Sequence, residues 1–142
     1  MKKNILAIDL GKHTCGLAIS RSGIFSTPLK SFKIENNDYL PLVNHLKELS
    51  QVEKIETIVL GYPLFPSGDK CEMTLVVEEF SRELKKEFIG INIQYQDERN
   101  STVDASEILQ SIGKNSKKQK EIIDSTSACV ILDRYLKKVN ND

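Results

Sequence analysis

Ile5-Leu6-Ala7-Ile8-Asp9-Leu10-Gly11 is the stretch on which the fold turns. Four consecutive apolar residues, bounded by polar ones, read as a central strand buried on both faces. Asp9 closes the run and Gly11 supplies a turn. A carboxylate is thereby set at the carboxyl end of a strand, where open α/β sheets form their sites. The run is too short for the core of a signal peptide. No other stretch approaches the roughly 20 apolar residues of a membrane span.

Working outward, Cys15 to Ser20 reads as a second strand and Ser22-Gly23 as a hairpin turn. A third strand is expected over Ile24 to Ile34, with Pro28 marking an edge or a bulge. Leu42, Val43, Leu46 and Leu49 recur at helical spacing after the loop Asn36-Asn37-Asp38. Ile55 to Leu60 is a fourth strand, stopped by Gly61-Tyr62-Pro63, and Pro63 to Lys70 reads as an exposed loop. Leu75, Val76, Phe80 and Leu84 mark a second helix, and alternating Ile91, Ile93 and Tyr95 a fifth strand ending near Gln96. Ser101-Thr102-Val103-Asp104 predicts the start of a third helix that ends near Gly113. A lysine-rich connection, Lys114 to Lys120, leads to a last helix over Glu121 to Lys138. The order predicts one α/β domain over residues 1–142: a mixed five-stranded sheet with helices on both faces.

A chain of 142 residues can bury a proper core as one domain. Its 39% hydrophobic and 28% charged residues are ordinary for a globular protein. Cys15, Cys71 and Cys129 stand singly, which excludes a disulfide framework or a zinc knuckle and fits reduced thiols in the cytoplasm. Twenty basic residues balance twenty acidic ones, so any attraction for nucleic acid must come from a local patch.

Asp97 and Glu98 follow the fifth strand as Asp9 follows the first, so two strand ends can bring acids together. Asp124 shares a helical stripe with Ala128, Ile131 and Tyr135, whose apolar members face inward. The other reading of Asp124 is a cap on the last helix. Converging carboxylates repel unless a cation joins them. Hard cations such as Mg2+ favour oxygen ligands, and they support phosphodiester displacement. With only His13 and His45 in the chain, a histidine-rich metal site is excluded.

Five segments in this order resemble the YqgF family, the pre-16S rRNA nucleases also named Holliday junction resolvases. They are Ala7-Ile8-Asp9-Leu10-Gly11 with Gly16-Leu17-Ala18; Val59-Leu60-Gly61-Tyr62-Pro63-Leu64 with Gly68; Asp97-Glu98-Arg99; Ser101-Thr102; and Ile123-Asp124 with Ala128, Ile131-Leu132 and Tyr135-Leu136. The resemblance implies an RNase H-like fold and a nuclease dependent on Mg2+ or Mn2+. It implies Asp9, Glu98 and Asp124 as catalytic, metal-holding acids, and 5′-end processing of pre-16S rRNA as the task. Two departures stand out. The family's basic stretch before the second strand is here Lys12-His13-Thr14, so Lys12 or His13 takes over that phosphate contact or the contact is missing. The apolar residue expected after Arg99 is Asn100.

The expected nucleic-acid contacts are Lys12, Arg99, Ser101, Lys117 and Lys118. Each has a structural reading beside it. Arg99 holds either a phosphate or a neighbouring acid. Ser101 and Thr102 are helix caps first. The lysines are a phosphate patch or a solvated segment. Tyr62 and Phe65 stack on a base or pack under the loop. His45 reads as a partly exposed structural residue, and Asp69 and Asp133 as surface acids. Two other functions compete with RNA processing: resolution of four-way DNA junctions, which calls for a homodimer rather than a monomer, and non-catalytic RNA binding in ribosome assembly. A sugar-kinase reading of Asp9-Leu10-Gly11 fails because that architecture needs a second domain.

Overall fold

Strand β1 (Asn4–Leu10) lies in the middle of a five-stranded sheet. Alternation along it sends Leu6, Ile8 and Leu10 to one face and Ile5, Ala7 and Asp9 to the other. Both faces are covered, which is why the run is continuously apolar. In this computed structural model residues 4–99 and 116–140 are described, with the side chains of 116–124 outside the described set.

The remaining elements are β2 (Thr14–Ser20), β3 (Thr27–Lys33), α1 (Leu40–Glu53), β4 (Ile55–Tyr62), α2 (Glu72–Glu87), β5 (Asn92–Asp97) and α3 (Ser116–Asn140). The strand order is β3-β2-β1-β4-β5. β1–β2 and β2–β3 pair antiparallel, whereas β1–β4 and β4–β5 pair parallel through the crossovers of α1 and α2. This is the predicted mixed sheet, with α1 and α2 on one face and α3 on the other.

The α1–α2 face carries the larger core. Leu42 and Leu46 of α1 and Val77 and Leu84 of α2 pack with Leu6, Ile8, Leu17, Ile58 and Leu60. A fully buried leucine of this kind contributes about 1.5–3 kcal/mol. The α3 face is built from small sheet residues, Ala7 and Ala18, opposite Ala128, Ile131, Leu132 and Leu136. Ala7 and Ala18 on the sheet, with Ala128 opposite, leave room for the larger Ile131, Leu132 and Leu136 to pack against β1 and β2.

β4 runs on through Gly61 to Tyr62 instead of stopping at Leu60, and two starts differ from expectation. β3 starts at Thr27, not Ile24. The Ser22 hydroxyl accepts the amides of Ile24 and Phe25, which bends the chain and leaves both side chains exposed. α3 starts at Ser116, so Lys117, Lys118 and Lys120 belong to the helix and not to a connection. Lysine is a good helix former, and no Gly or Pro interrupts the segment. The helix expected over 101–113, and Lys114, lie outside the described residues. No helix among the described residues is long and apolar enough to cross a membrane.

Candidate active site

Asp9 pairs with Gly16 of β2, and both sit on the α3 face. On the other side β4 runs level with β1, Leu60 beside Ile8, which brings Gly61 next to Asp9. Glu98 follows β5 directly. Its backbone amide donates to the Tyr62 carbonyl at 3.4 Å, so the turn after β5 stays against the end of β4. The Glu98 carboxyl then lies over Gly61. A Cβ on Gly61 would meet Glu98 Oε2 at 2.8 Å and Ile131 Cδ1 at 2.7 Å. A side chain at this position would push the Glu98 carboxyl and the end of Ile131 aside, so glycine is what leaves the carboxyl where it lies.

Asp9 and Glu98 share a hydrogen bond. Burial, then the adjoining Asp9 charge, push the Glu98 carboxyl up to about 10. A half-buried pair of carboxyls has to share a proton or accept a cation. Such a perturbed pair marks a functional-site candidate.

Asp97 has a different role from its neighbour. It accepts the Arg99 amide at 2.9 Å and Arg99 Nε at 2.8 Å, with Nη2 at 2.7 Å. The Arg99 guanidinium holds the Asp97 carboxyl below its ordinary range. Arg99 Nη1 also reaches the Pro66 carbonyl at 3.4 Å, tying the loop after β4 to the turn. Arg99 thus holds a neighbouring acid in this structure.

Arg134 of α3 closes the turn from the other side. Its Nη1 donates to the carbonyls of Asp97 (3.3 Å) and Arg99 (2.8 Å), which bracket Glu98. Sequence reading passed over this residue, because a lone arginine on a helix reads as a solvated side chain.

The other expected residues are placed as follows. Position 124 lies in α3, one helical position before Ser125, whose hydroxyl donates to the Leu29 carbonyl at 2.6 Å. By helical spacing it continues the line of Ala128 and Ile131, both fully buried against the sheet. The Asp124 side chain is outside the described residues, as are those of Lys117 and Lys118, and all of Ser101. Lys12 is exposed and ion-paired with Glu72 at 3.7 Å. Tyr62 packs against Tyr95, with ring centroids 4.6 Å apart, and donates its hydroxyl to Glu78. Phe65 is exposed on the loop. Among the described residues no three metal-ligating side chains converge, so Asp9 and Glu98 are the described part of any metal centre. A cavity of about 750 Å³ lies between α1 and α2 and includes neither acid.

The family profile described as "RuvX: Holliday junction resolvase" matches residues 3–138. The chain belongs to the RuvX family. A Mycoplasmopsis pulmonis protein named "Putative pre-16S rRNA nuclease" is 40% identical over 133 residues, covering 92% of this chain and 90% of that one. A Ureaplasma parvum protein of the same name is 40% identical over 140 residues, covering 94% and 95%. Among solved structures, Thermus thermophilus RuvC in complex with a Holliday junction superposes with a TM-score of 0.62 at 10% identity, covering 98% of this chain and 96% of that one. That likeness identifies the fold as RNase H-like. The YqgF resemblance and the RuvX family designate the same group of relatives.

Proposed function

We propose that this RuvX-family protein is a metal-dependent nuclease whose task is 5′-end processing of pre-16S rRNA. The observation that carries the reading is the Asp9–Glu98 pair: two carboxyls from the ends of β1 and β5 that meet across the end of β4, over a glycine that leaves them room. Membership of a family described by phosphodiester-cleaving activities supports it, as do the names of the relatives.

The chemistry of the donor set fits a hard divalent cation, since both groups are carboxyl oxygens. Asp9 and Glu98, with Asp124 from α3 as the third acid, would hold Mg2+ or Mn2+. When bound, the cation supplies charge neutralisation for a phosphodiester displacement. The protein's own contribution is positional. Gly61 clears the space for the Glu98 carboxyl, the Asp97–Arg99 pair fixes the turn that carries it, and Arg134 anchors that turn to α3. Without cation, Glu98 retains a proton next to Asp9. The three free thiols fit a cytoplasmic setting.

A second reading, cleavage of four-way DNA junctions, is favoured by the family's description. One assay separates the two. Wild type and the variants Asp9→Asn, Glu98→Gln and Asp124→Asn are incubated with pre-16S rRNA and with a four-way junction, with and without Mg2+. Cleavage of the RNA, lost in each folded variant, is the expected outcome. Cleavage of the junction alone would replace RNA processing with resolution. Wild-type turnover in excess chelator would overturn the metal mechanism.

A further inference from the structure

One line of residues crosses the sheet at the level of Asp9. Gly61 stands on β4, Asp9 on β1 and Gly16 on β2. The line ends on edge strand β3 in a bulge. Cys15 pairs with Phe32 and Leu17 with Leu29, so Gly16 alone faces both Lys30 and Ser31. Two strand spacings, about 10 Å, separate this bulge from Asp9. Bulges re-aim side chains, and they are over-represented beside active sites.

A groove of about 580 Å³ opens at this bulge. His13 and Thr14, at the start of β2, and Lys30, Ser31 and Lys33 form one wall. Ser125 of α3 contributes the other, held by its hydrogen bond to the Leu29 carbonyl. The groove lies on the α3 side of the sheet, the same side as Asp9, about two strands away from it. Among its described lining residues there is no acid. Lys33 meets Glu35 only at 3.8 Å with both side chains exposed, an ion pair too weak to cancel its charge. The larger cavity between α1 and α2 has the opposite character. Four glutamates, Glu72, Glu79, Glu83 and Glu87, line it against one lysine, Lys12, which is ion-paired with Glu72, so its net charge would repel a polyanion.

We propose that the groove at the β3 bulge carries the sugar–phosphate backbone of the strand being cut, with Lys30 and Lys33 as its phosphate contacts. This rests on the nuclease reading and deepens it by assigning the substrate's path. Contacts to phosphates position a strand and carry no sequence information. The groove accordingly sets affinity and register, and not base preference.

The test is binding and cleavage by the full chain carrying Lys30→Gln and Lys33→Gln together. A fluorescently labelled RNA oligonucleotide is titrated in chelator over a range of salt concentrations, then cleaved with Mg2+. Each lost phosphate contact flattens the log–log salt dependence by about 0.7–0.9. A decrease of about 1.4–1.8 is expected for the pair, with KM raised about tenfold or more and kcat within about twofold. The control pair Lys85→Gln and Lys86→Gln, on α2, should leave the slope as it is.

An unchanged slope in a folded Lys30/Lys33 variant overturns the proposal, as does an equal drop in the control. Self-association of the variant with an unaltered slope also overturns it, by assigning the lysines to protection of an edge strand. If wild type binds RNA through these lysines yet cleaves neither RNA nor DNA, the nuclease reading fails while the groove stands.

Discussion

Glu98 and Gly61 set the site at the scale of single residues. A methyl group on Gly61 would lie 2.8 Å from Glu98 Oε2 and 2.7 Å from Ile131 Cδ1. Both atoms end flexible side chains, so Glu98 and Ile131 would swing aside to admit it, and the carboxyl would leave its place. Gly61→Ala should cost about 1–3 kcal/mol of stability, as overpacking generally does. It should also lower kcat about tenfold or more, measured by denaturant unfolding and by turnover. Full activity in that variant would mean the carboxyl does not act from where it lies. Glu98 also gives metal-free stability an unusual sign. Its proton is held up to about 10 in the fold against 4.5 for an ordinary glutamate. Stability from this group is therefore complete below about 4.5 and is lost as pH rises through about 10. In excess chelator the wild-type melting temperature should fall from about pH 5 to pH 9, with a gentler slope for Glu98→Gln. Equal slopes in the two proteins would refute the shared proton.

At the scale of elements, α3 does two jobs. Its apolar stripe closes one face of the sheet, and Arg134 grips the turn after β5. Hydrogen bonds from a charged donor contribute about 1.5–3 kcal/mol. Arg134→Gln should therefore loosen the turn, lowering kcat about tenfold with little change in KM, while Arg134→Lys restores part of the rate. A kcat unchanged in the glutamine variant would assign Arg134 to stability alone. The elements themselves were largely legible beforehand, because apolar periodicity is a local property. The five strands, α1 and α2 follow from it. The start of β3 was not legible, because the Ser22 hydroxyl redirects two amides that a propensity reading would assign to a strand. Nor was the start of α3, whose first turns carry lysines and no apolar repeat.

The whole molecule is electrically balanced, with 20 basic and 20 acidic residues, yet its charges are sorted. Four glutamates outnumber one lysine along the groove between α1 and α2, and two lysines without an acid line the one at the β3 bulge. A net charge of zero hides that division, since a sum over the chain contains no positions. The sequence by itself determined the central strand, Asp9 at its carboxyl end and the sheet around it. A strand buried on both faces must be written as an unbroken apolar run, and the acid that ends it is visible in one dimension. The residue pattern alone presents Asp97 and Glu98 as equals, and only the family resemblance favoured Glu98; the tertiary structure shows which of the two stands beside Asp9. β5 pairs with β4 so that Asp97 stands beside Tyr62 and turns to Arg99, while Glu98 falls over Gly61 against Asp9. Successive side chains point to opposite sides of a strand, and the register of pairing selects which one faces the site. That register is fixed by contacts far apart in the chain, so no local reading contains it.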